Sequence, residues 1–341
     1  MQQAVLSSKE KVEFQEVPLP KIGEKEVLIK VENIGICGSD IHAYHGTHPF
    51  IDFPIVQGHE VSGVISKVNE SVKKFAVGDR VAIRPQRVCG ECRQCLDGRY
   101  NICESIDVLG CLSTGAASDY YSIEEELVYK LPDTVTLSEG TFIEPLSVAV
   151  HAIQRCGSVE GMNVLVLGSG TIGNLVAQSA KAMGAKKVIT TDVSEFKLDL
   201  AQKCGVDAAV NIQTKDLENE LLEKFGKDKA DIIFDCVAVE PSINQAIKVA
   251  RKGTNVVIVG VPSGSLQVSI DLIQDREINI IGTLCYTHED YELSIQLIEE
   301  GKIELNRLIT KTFDFEQFDE AYQYIEQKKD QTLKVIIHMN D

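Results

Sequence analysis

The segment VLVLGSGTIGNLVAQSAKAMGA, residues 164–185, decides the fold of this chain. A continuous apolar run, typical of a strand buried in a parallel sheet, leads directly into a helix-length amphipathic segment. Between them, Gly168 permits a tight turn, Gly170 lets the backbone approach a pyrophosphate, and Gly173 lets the helix pack closely on the strand. The start of the helix adds N–H donors and a positive dipole. The segment therefore predicts the dinucleotide-binding turn of a doubly wound, parallel α/β sheet.

An acidic residue at the expected distance supports the cofactor prediction. The next apolar run ends in Asp192, about 20 residues beyond Gly173, where an acid binds the adenosine ribose hydroxyls. A carboxylate repels a 2′-phosphate, and residues 193–195 include no arginine, so the pattern favours NAD over NADP. The alternative is a glycine turn and a surface acid in a sheet protein that binds no nucleotide. Strands of this sheet are predicted at 163–167, 187–191, 208–210, 232–235, 255–259 and 278–281.

Two regions of different sequence texture indicate two domains. Residues 1–150 hold short β-like runs separated by glycine and proline, which predicts a mostly β domain with long loops. Strands and helices alternate through residues 151–282, which predicts the second domain. Three more elements are predicted beyond these domains: a helix at 291–300, a helix with Phe315, Phe318, Tyr322 and Ile325 on one stripe, and a strand at 333–337. Such an apolar stripe is typical of core packing rather than of a cofactor site.

Composition limits the classes of protein that the chain can represent. The 341 residues include 34 Lys or Arg and 51 Asp or Glu, and the net charge of −17 excludes a general binder of nucleic acid or anionic membranes. With 44% hydrophobic and 25% charged residues, the composition is that of a globular protein. The first residues, MQQAVLSSKEKVEF, lack the apolar run of a secretory signal, and no apolar run reaches the ~20 residues that span a bilayer. We therefore expect a cytoplasmic protein, in which the ten cysteines more often bind metal than form disulfides.

A cluster of four cysteines predicts a closed metal site. The array C-x2-C-x2-C-x7-C is formed by Cys89, Cys92, Cys95 and Cys103. Four thiolates complete a tetrahedral zinc shell and leave no position for substrate, which is the signature of a structural zinc. Iron–sulfur ligation is the chemical rival, but the seven-residue gap and the absence of proline after Cys103 argue against it. Disulfides would need an oxidising compartment, which nothing else in the sequence indicates.

A second, more dispersed set of ligands predicts an open metal site. Cys37 lies in GICGSD, and His59 and Glu60 lie in GHE. One thiolate, one imidazole and one carboxylate leave a fourth zinc position for water or substrate, as a catalytic zinc requires. The alternative is a cysteine buried in the core and a GHE surface turn, since each motif alone is ambiguous.

Four further polar side chains support the open site. Ser39, Asp40 and His42 follow Cys37 closely. Glu144 is a helix-associated acid flanked by apolar residues, which favours a role beside the metal ligands or as an alternate ligand over that of a core acid.

Taken together, these motifs resemble the zinc-containing medium-chain dehydrogenases, most of all the polyol branch with sorbitol dehydrogenase and its sugar-acid and threonine dehydrogenase relatives. The matching stretches are GICGSDIH at 35–42, GHEVSG at 58–63, VGDRVAI at 77–83, the four-cysteine cluster, IEPLSVAVHA at 143–152 and the glycine turn at 168–173. The resemblance implies an α/β protein with a GroES-like, mostly β catalytic domain at residues 1–150, completed by residues 283–341, and a Rossmann NAD-binding domain at residues 151–282. It also implies two zinc ions per chain, one catalytic and one structural, and a homo-dimer or homo-tetramer.

The resemblance further implies roles for individual residues. Cys37, His59 and Glu60 match the catalytic zinc ligands, and Glu144 matches an acid that approaches the metal directly or through water. Ser39 and His42 match a polar relay. On the cofactor side, the implied adenosine and pyrophosphate contacts are Ile172, Asp192 and Lys197, and the implied nicotinamide contacts are Val259, Gly260, Val261, Thr283, Leu284 and Cys285.

The expected activity is NAD-dependent oxidation of the secondary alcohol of a small-molecule polyol or sugar acid. A zinc ion at the open site would act as a Lewis acid on the alcohol oxygen while hydride leaves for NAD. The released proton would leave through Ser39 with His42 or Glu144. The alternatives are a threonine or butanediol dehydrogenase of the same family, or, from another class, a non-catalytic NAD-binding relative, for which we would expect a degraded open site.

Departures from the sorbitol dehydrogenase pattern bear on the substrate. Ala43 stands where sorbitol dehydrogenases have a substrate-contacting tyrosine, and Cys285 stands where they have an arginine. The stretch 42–60 resembles that of sugar-acid dehydrogenases more closely. If the substrate is a sugar acid, Arg84 or Arg87 of this chain would meet its carboxylate. A role as solvated surface cations explains these two arginines equally well.

Overall fold

The computed structural model describes residues 1–339, which divide into two compact units. Unit 1 comprises residues 1–144 together with the chain from residue 309 onward, and unit 2 comprises Pro145–Leu308. Within residues 1–339, no helix has both the length and the apolar character needed to cross a membrane.

Strands and helices are numbered here in chain order. The strands are β1 (Gln2–Ser8), β2 (Lys11–Glu16), β3 (Glu26–Gly35), β4 (Glu60–Val68), β5 (Arg80–Ile83), β6 (Gln86–Arg87), β7 (Asp107–Val108), β8 (Tyr120–Glu124), β9 (Val128–Lys130), β10 (Asn163–Leu167), β11 (Lys187–Asp192), β12 (Ala208–Asn211), β13 (Ile232–Asp235), β14 (Asn255–Ile258), β15 (Asn279–Gly282), β16 (Ile309–Asp314) and β17 (Lys334–His338). The α-helices are α1 (Gly38–Tyr44), α2 (Arg93–Leu96), α3 (Leu137–Gly140), α4 (Ile143–Arg155), α5 (Thr171–Ala182), α6 (Glu195–Lys203), α7 (Leu217–Phe225), α8 (Glu240–Val249), α9 (Ile270–Asp275), α10 (His288–Glu299) and α11 (Phe318–Gln327).

Unit 1 is built on one sheet to which both ends of the chain contribute. Its strand order is β16-β17-β3-β4-β5-β9, and β8 also pairs with β3. Near the carboxyl end of the chain, β17 pairs antiparallel with β3, so that Ile337 lies opposite Ile34. The stripe on α11 joins the same core, with Phe318 and Tyr322 each at most 3% exposed. The segment after residue 308 therefore adds two strands, β16 and β17, to the sheet that β3 begins.

Unit 2 is a six-stranded parallel sheet with the order β12-β11-β10-β13-β14-β15. Every residue of β10 is buried, as its unbroken apolar sequence predicts for a central parallel strand. The strand order reverses direction between β10 and β13, and in such sheets ligands bind beyond the carboxyl ends of the strands at this point. The predicted doubly wound sheet is confirmed, and each of its six strands ends within one residue of the predicted position.

The boundaries between the two units differ from the predicted domain boundaries, which are 150/151 and 282/283. The first change of unit falls inside α4, between Glu144 and Pro145. The second falls at residues 308/309, because α10 is bonded to α4 within unit 2: Ser147 Oγ donates to Ser294 Oγ at 3.2 Å, and His151 Nδ1 lies 2.7 Å from Asp290 Oδ2.

In residues 1–150 the sequence predicts β-like runs at 27–36, 61–68, 80–83, 120–123 and 127–130. The β1–β2 hairpin, β6, β7 and β16 lie outside every predicted strand. In β2, four of the six residues are exposed, so the strand has no apolar face to reveal it in the sequence.

Candidate metal centres and cofactor site

The three predicted ligands of the open site meet where β3 and β4 pair. Gly35 at the end of β3 lies opposite Glu60, the first residue of β4. Cys37 follows β3 by two residues at the start of α1, and His59 directly precedes β4. One ligand atom each of Cys37, His59 and Glu60 lies within 4.8 Å of the others. A Cβ added at Gly35 would collide with Glu60 Oε2, so glycine leaves the room that the carboxylate occupies.

The carboxylate of Glu60 is fully buried and is balanced by Lys334. The two side chains are 0% and 3% exposed, respectively. Lys334 Nζ donates to Glu60 Oε1 at 2.7 Å, to Oε2, and to the carbonyl oxygen of Ile36 at 3.3 Å. Burial lowers the pKa of Lys334, but the charges of Glu60, Cys37 and Glu144 and the hydrogen bond to Glu60 together outweigh burial and leave the pKa raised. Since an uncompensated buried carboxylate is costly, Lys334 is what allows Glu60 to lie in this interior position.

A second carboxylate lies behind the imidazole of His59. Asp40 Oδ1 is 3.6 Å from His59 Nδ1, and Cys111 Sγ is 3.9 Å from the same nitrogen. The backbone N–H of Cys37 donates to Asp40 Oδ2 at 2.9 Å. Burial raises the pKa of Asp40, and the charge of His59 acts in the opposite direction. Metal-binding histidines usually present their second nitrogen to such a group, so the open cluster fits zinc both in its donor set and in this support.

The remaining predicted residues of this site lie on two helices. Ser39 and His42 are three residues apart on α1 and therefore share a face. His42 is exposed, and its Nδ1 lies 3.4 Å from Thr47 Oγ1. Glu144 is half-buried in the first turn of α4, and its charge is one of those that raise the pKa of Lys334.

The four-cysteine cluster has the dimensions of a metal shell. The Sγ atoms of Cys89 and Cys103 are 3.5 Å apart, and those of Cys89–Cys95 and Cys92–Cys103 are 3.9 Å apart. A tetrahedral zinc separates its sulfurs by about 3.8 Å, whereas a disulfide holds them at about 2.0 Å. Backbone N–H groups of Glu104 and Cys95 lower the pKa of Cys92 to about 6, whereas burial raises the pKa of Cys95 to about 12. The cluster therefore fits a closed zinc site, and all ten cysteines are free of disulfides.

The glycine turn joins β10 to α5 at the carboxyl edge of the parallel sheet. Gly168 has φ +93°, a left-handed conformation that favours glycine. A Cβ added at Gly173 would overlap the carbonyl oxygen of Gly168, so only glycine permits this approach of helix and strand. A Cβ added at Gly170, which caps the start of α5, would meet nothing within 4 Å. That open space beside helix N–H groups is what a pyrophosphate requires, so the turn fits NAD.

Asp192 lies at the end of β11 and is held by backbone groups. Its Oδ2 accepts the N–H of Ser169 at 2.8 Å, and its Oδ1 accepts the N–H groups of Val193 at 2.8 Å and Ser194 at 2.9 Å. Ser169 belongs to the glycine turn, so one hydrogen bond fixes the acid relative to that turn. Oδ2 makes a single such bond and keeps acceptor capacity for a ribose hydroxyl.

The other predicted cofactor residues also follow the carboxyl ends of strands in unit 2. They are Ile172 on α5, Lys197 on the first turn of α6, Val259, Gly260 and Val261 after β14, and Thr283, Leu284 and Cys285 after β15. Val261 is 87% exposed. Thr283 Oγ1 is buried without a hydrogen-bond partner, which leaves a polar atom for a ligand at this edge.

The two arginines considered for a substrate carboxylate are placed differently. Arg87 Nη2 lies 2.9 Å from Glu124 Oε2, and its Nη1 lies 3.6 Å from Asp107 Oδ2. Arg84 is 8% exposed, so it is not a solvated surface cation.

Some residues of the open site were missed by the sequence analysis. Lys334 lies in a strand predicted only as apolar, and its one signal is a lysine inside the run LKVII at 333–337. Cys111 also lies beside His59, and no local sequence pattern indicates this position.

Comparison with known proteins agrees with both units. The alcohol dehydrogenase GroES-like domain model matches residues 23–133, and the zinc-binding dehydrogenase model matches residues 171–300. Sorbitol dehydrogenase of Bacillus subtilis (strain 168) is 32% identical over 100% of this chain and 98% of its own length. D-xylulose reductase A of Aspergillus niger is 36% identical over 94% of this chain and 92% of its own. An alcohol dehydrogenase of Escherichia coli CFT073, crystallised with NADH, superposes with a TM-score of 0.92 at 30% identity and 99% coverage of both chains.

The fold, the two cysteine-containing centres and these similarities define an oxidoreductase that uses zinc and a nicotinamide dinucleotide. The chain belongs to the zinc-dependent medium-chain family of alcohol and polyol dehydrogenases. The sequence prediction of the family, of zinc and of NAD is confirmed.

Proposed function

We propose that this enzyme oxidises a secondary hydroxyl group of an uncharged polyol with NAD, reversibly. The observation that supports the proposal most is the cluster of Cys37, His59 and Glu60, which offers three ligands and leaves one zinc position for substrate. An intact open site argues against a non-catalytic NAD-binding relative. The names of its relatives, a sorbitol dehydrogenase and a xylulose reductase, favour polyols as the substrate class.

In the proposed mechanism, Cys37, His59 and Glu60 hold the catalytic zinc. When bound, zinc supplies Lewis-acid chemistry that lowers the pKa of the substrate hydroxyl, and NAD accepts the hydride. Ser39 accepts the substrate proton and passes it to His42, whose exposed ring releases it to solvent. Glu144 is a second acid at this site, close enough to Lys334 to affect its pKa.

The ion pairs of Arg87 favour an uncharged polyol over a sugar acid bound by this residue. The guanidinium of Arg87 is already engaged by Glu124 and Asp107, so a substrate carboxylate would have to displace an existing ion pair. Arg84 is buried, and its Nε and Nη1 have no hydrogen-bond partner, so of the two arginines it alone keeps donors for an acidic group of a substrate. A net charge of −17 adds no general attraction for acidic substrates.

A substrate panel followed by NADH absorbance tests this proposal. Polyols such as xylitol and sorbitol should give kcat/KM at least tenfold above the corresponding sugar acids, threonine and butanediol. Cys37→Ser, which removes a zinc ligand, should show no turnover with any of them. A sugar acid, threonine or butanediol as the best substrate contradicts the polyol proposal, and equal activity of Cys37→Ser contradicts the zinc mechanism.

We further propose a homo-oligomer assembled through unit 2. Within residues 1–339, β15 pairs with β14 alone and leaves its other edge unpaired. Ile280 on this strand is 43% exposed, and Ile270 on α9 is 68% exposed. An unpaired strand edge with exposed apolar side chains is a template for pairing with another chain, and a second copy supplies an identical edge.

We place the enzyme in the cytoplasm. A reducing compartment keeps the four cysteines of the closed site as zinc-binding thiolates, and none of the ten cysteines forms a disulfide.

A further inference from the structure

A chain of buried hydrogen bonds runs from α11 to the open metal cluster of unit 1. Tyr322 donates its hydroxyl proton to Gln57 Oε1 at 2.7 Å. Gln57 Nε2 donates to Asp40 Oδ1 at 3.1 Å and to the carbonyl oxygen of Asp40 at 3.3 Å. Asp40 in turn contacts two metal ligands: its Oδ2 accepts the N–H of Cys37, and its Oδ1 lies 3.6 Å from His59 Nδ1.

The interior position of these groups gives the chain one orientation. Tyr322, Gln57 and Asp40 are 1%, 3% and 2% exposed, so water cannot substitute for a lost partner without entering the core. A carboxylate accepts hydrogen bonds and cannot donate them, so the amide of Gln57 must turn its Nε2 toward Asp40. The amide oxygen then faces Tyr322, whose hydroxyl supplies the donor that this oxygen needs. A flipped amide would place its oxygen against the carboxylate.

Tyr322 itself is fixed by packing on the neighbouring helix. Its ring stacks on the ring of Tyr44, with centroids 4.5 Å apart and planes inclined by 23°. The hydroxyl of Tyr44 donates to Asp319 Oδ1 at 3.1 Å, which ties α1 to α11 a second time. Tyr44 therefore shares the packing of Tyr322, but its hydroxyl bonds to Asp319 and not to Gln57, which makes it a matched control.

From this geometry we propose that Gln57 and Tyr322 are positioning residues for the catalytic zinc. They hold the carboxylate of Asp40 in the one orientation that supports the backbone at Cys37 and the ring of His59 together. The proposal rests on the proposed function, since it assumes that Cys37, His59 and Glu60 bind zinc. It makes the metal affinity of the open site depend on a helix that lies 265 residues further along the chain than Gln57.

The test compares zinc retention in Tyr322→Phe and Gln57→Leu with that in the wild type and Tyr44→Phe. The two-zinc enzymes are exposed to a chelator, and zinc release is followed with a chromogenic dye, together with the Tm of each protein. Loss of an outer-shell partner typically lowers metal affinity 10- to 100-fold. We expect release from the open site to be about tenfold faster or more in Tyr322→Phe and Gln57→Leu, with release from the four-cysteine site unchanged. Tyr44→Phe should release zinc like the wild type.

Replacing zinc by cobalt adds a spectroscopic measurement of the metal geometry, which a general loss of stability would not change. With Co²⁺ at the open site, the visible ligand-field bands should shift in Tyr322→Phe and Gln57→Leu and stay unchanged in Tyr44→Phe. The double variant should release zinc no faster than the faster of the two single variants. Both substitutions break the same chain of hydrogen bonds, so their effects should not add.

The outcomes separate this proposal from the proposed function. If the wild type binds two zinc ions and both variants keep wild-type zinc retention and cobalt spectra, the positioning role is contradicted. The proposed function is unaffected by that result. Faster release from both zinc sites in proportion to a lower Tm also contradicts it. A wild type that binds only one zinc contradicts the proposed function and the positioning role with it.

Discussion

At the scale of single side chains, we expect the preference for NAD over NADP to depend on Asp192. Its carboxylate is held by the N–H groups of Ser169, Val193 and Ser194 at 2.8–2.9 Å. A negative charge fixed in this position accepts ribose hydroxyls and repels a 2′-phosphate. We therefore expect this fixed carboxylate to favour NAD over NADP.

Replacing Asp192 by alanine should weaken NADH binding and relax cofactor choice. A hydrogen bond to a charged group contributes about 1.5–3 kcal/mol, so the Kd for NADH should rise about tenfold or more. The preference for NADH over NADPH, measured by fluorescence titration, should fall at the same time. Asp199→Ala, which removes an exposed acid paired with Lys203 on α6, is the control and should bind both cofactors like the wild type. An unchanged preference in Asp192→Ala would refute the role of this carboxylate.

The sequence alone reveals those motifs whose residues lie close together along the chain. Four cysteines within fifteen residues and three glycines within six can be recognised without knowing the fold. Lys334 cannot, because it reaches Glu60 only after β17 has paired with β3, across 274 residues of chain. Tyr322 was correctly predicted as a core residue, but nothing in an apolar stripe signals that its hydroxyl bonds to Gln57.

At the scale of elements, α4 and α10 are joined inside unit 2 by a buried contact between a histidine and an aspartate. His151 Nδ1 lies 2.7 Å from Asp290 Oδ2, and the side chains are 9% and 3% exposed. Asp290 also accepts the backbone N–H of Thr287 at 2.7 Å and its hydroxyl at 2.8 Å, in a capping box at the start of α10. Burial raises the pKa of Asp290, but the hydrogen bonds from His151 and Thr287 outweigh burial and leave it lowered.

This pair should give the enzyme an acid-dependent loss of stability. A carboxyl whose pKa is lower in the folded state stabilises the fold above its ordinary pKa of 3.8. That stability is lost as the pH falls through the folded pKa. Asp290→Asn should lower the free energy of unfolding by about 3 kcal/mol at pH 7, since it breaks a buried pair, and should flatten the decline below pH 5. Urea unfolding from pH 3 to pH 7 measures both effects.

An exposed acid on the same helix serves as the comparison. Glu299→Gln, at the solvent-facing end of α10, should leave the stability and its pH dependence almost unchanged. If the free energy of unfolding falls equally with decreasing pH in the wild type and in Asp290→Asn, the buried pair does not cause the loss of stability in acid.

Prediction from sequence was most complete for the elements of unit 2 and weakest at the edges of unit 1. Central parallel strands such as β10 are buried on both faces, so their apolar runs stand out. The β2 strand is mostly exposed and has no such run. The unit boundary at 308/309 was displaced from residue 282 because the bonds that keep α10 with α4 join residues far apart in sequence.

For the whole molecule, assembly is expected through the free edge of β15. A charge placed there should prevent two copies from pairing, so Ile280→Glu should convert an oligomer into single chains of 37.5 kDa. Leu222→Glu introduces the same charge at a residue of equal exposure, 44% against 43%, on α7, and should leave the oligomer intact. Sedimentation velocity distinguishes the species. A monomeric wild type, or an oligomer that survives Ile280→Glu, would argue against this interface.

The two zinc centres should separate stability from catalysis in the complete enzyme. Cys92→Ser opens the closed centre and should chiefly lower the Tm, because a structural zinc contributes folding free energy. Cys37→Ser should leave the fold intact and abolish turnover, because it affects only the open centre. The same division should appear when metal is removed without any substitution.

Selective removal and restoration of the zinc at Cys37, His59 and Glu60 is the most direct test of the central claim. A chelator should take the enzyme from two zincs per chain to one, abolish NADH formation from a polyol, and leave the Kd for NADH unchanged, since that cofactor binds unit 2. Added zinc should restore both the second metal and the turnover. Full turnover in an enzyme that retains only the four-cysteine zinc would contradict the account.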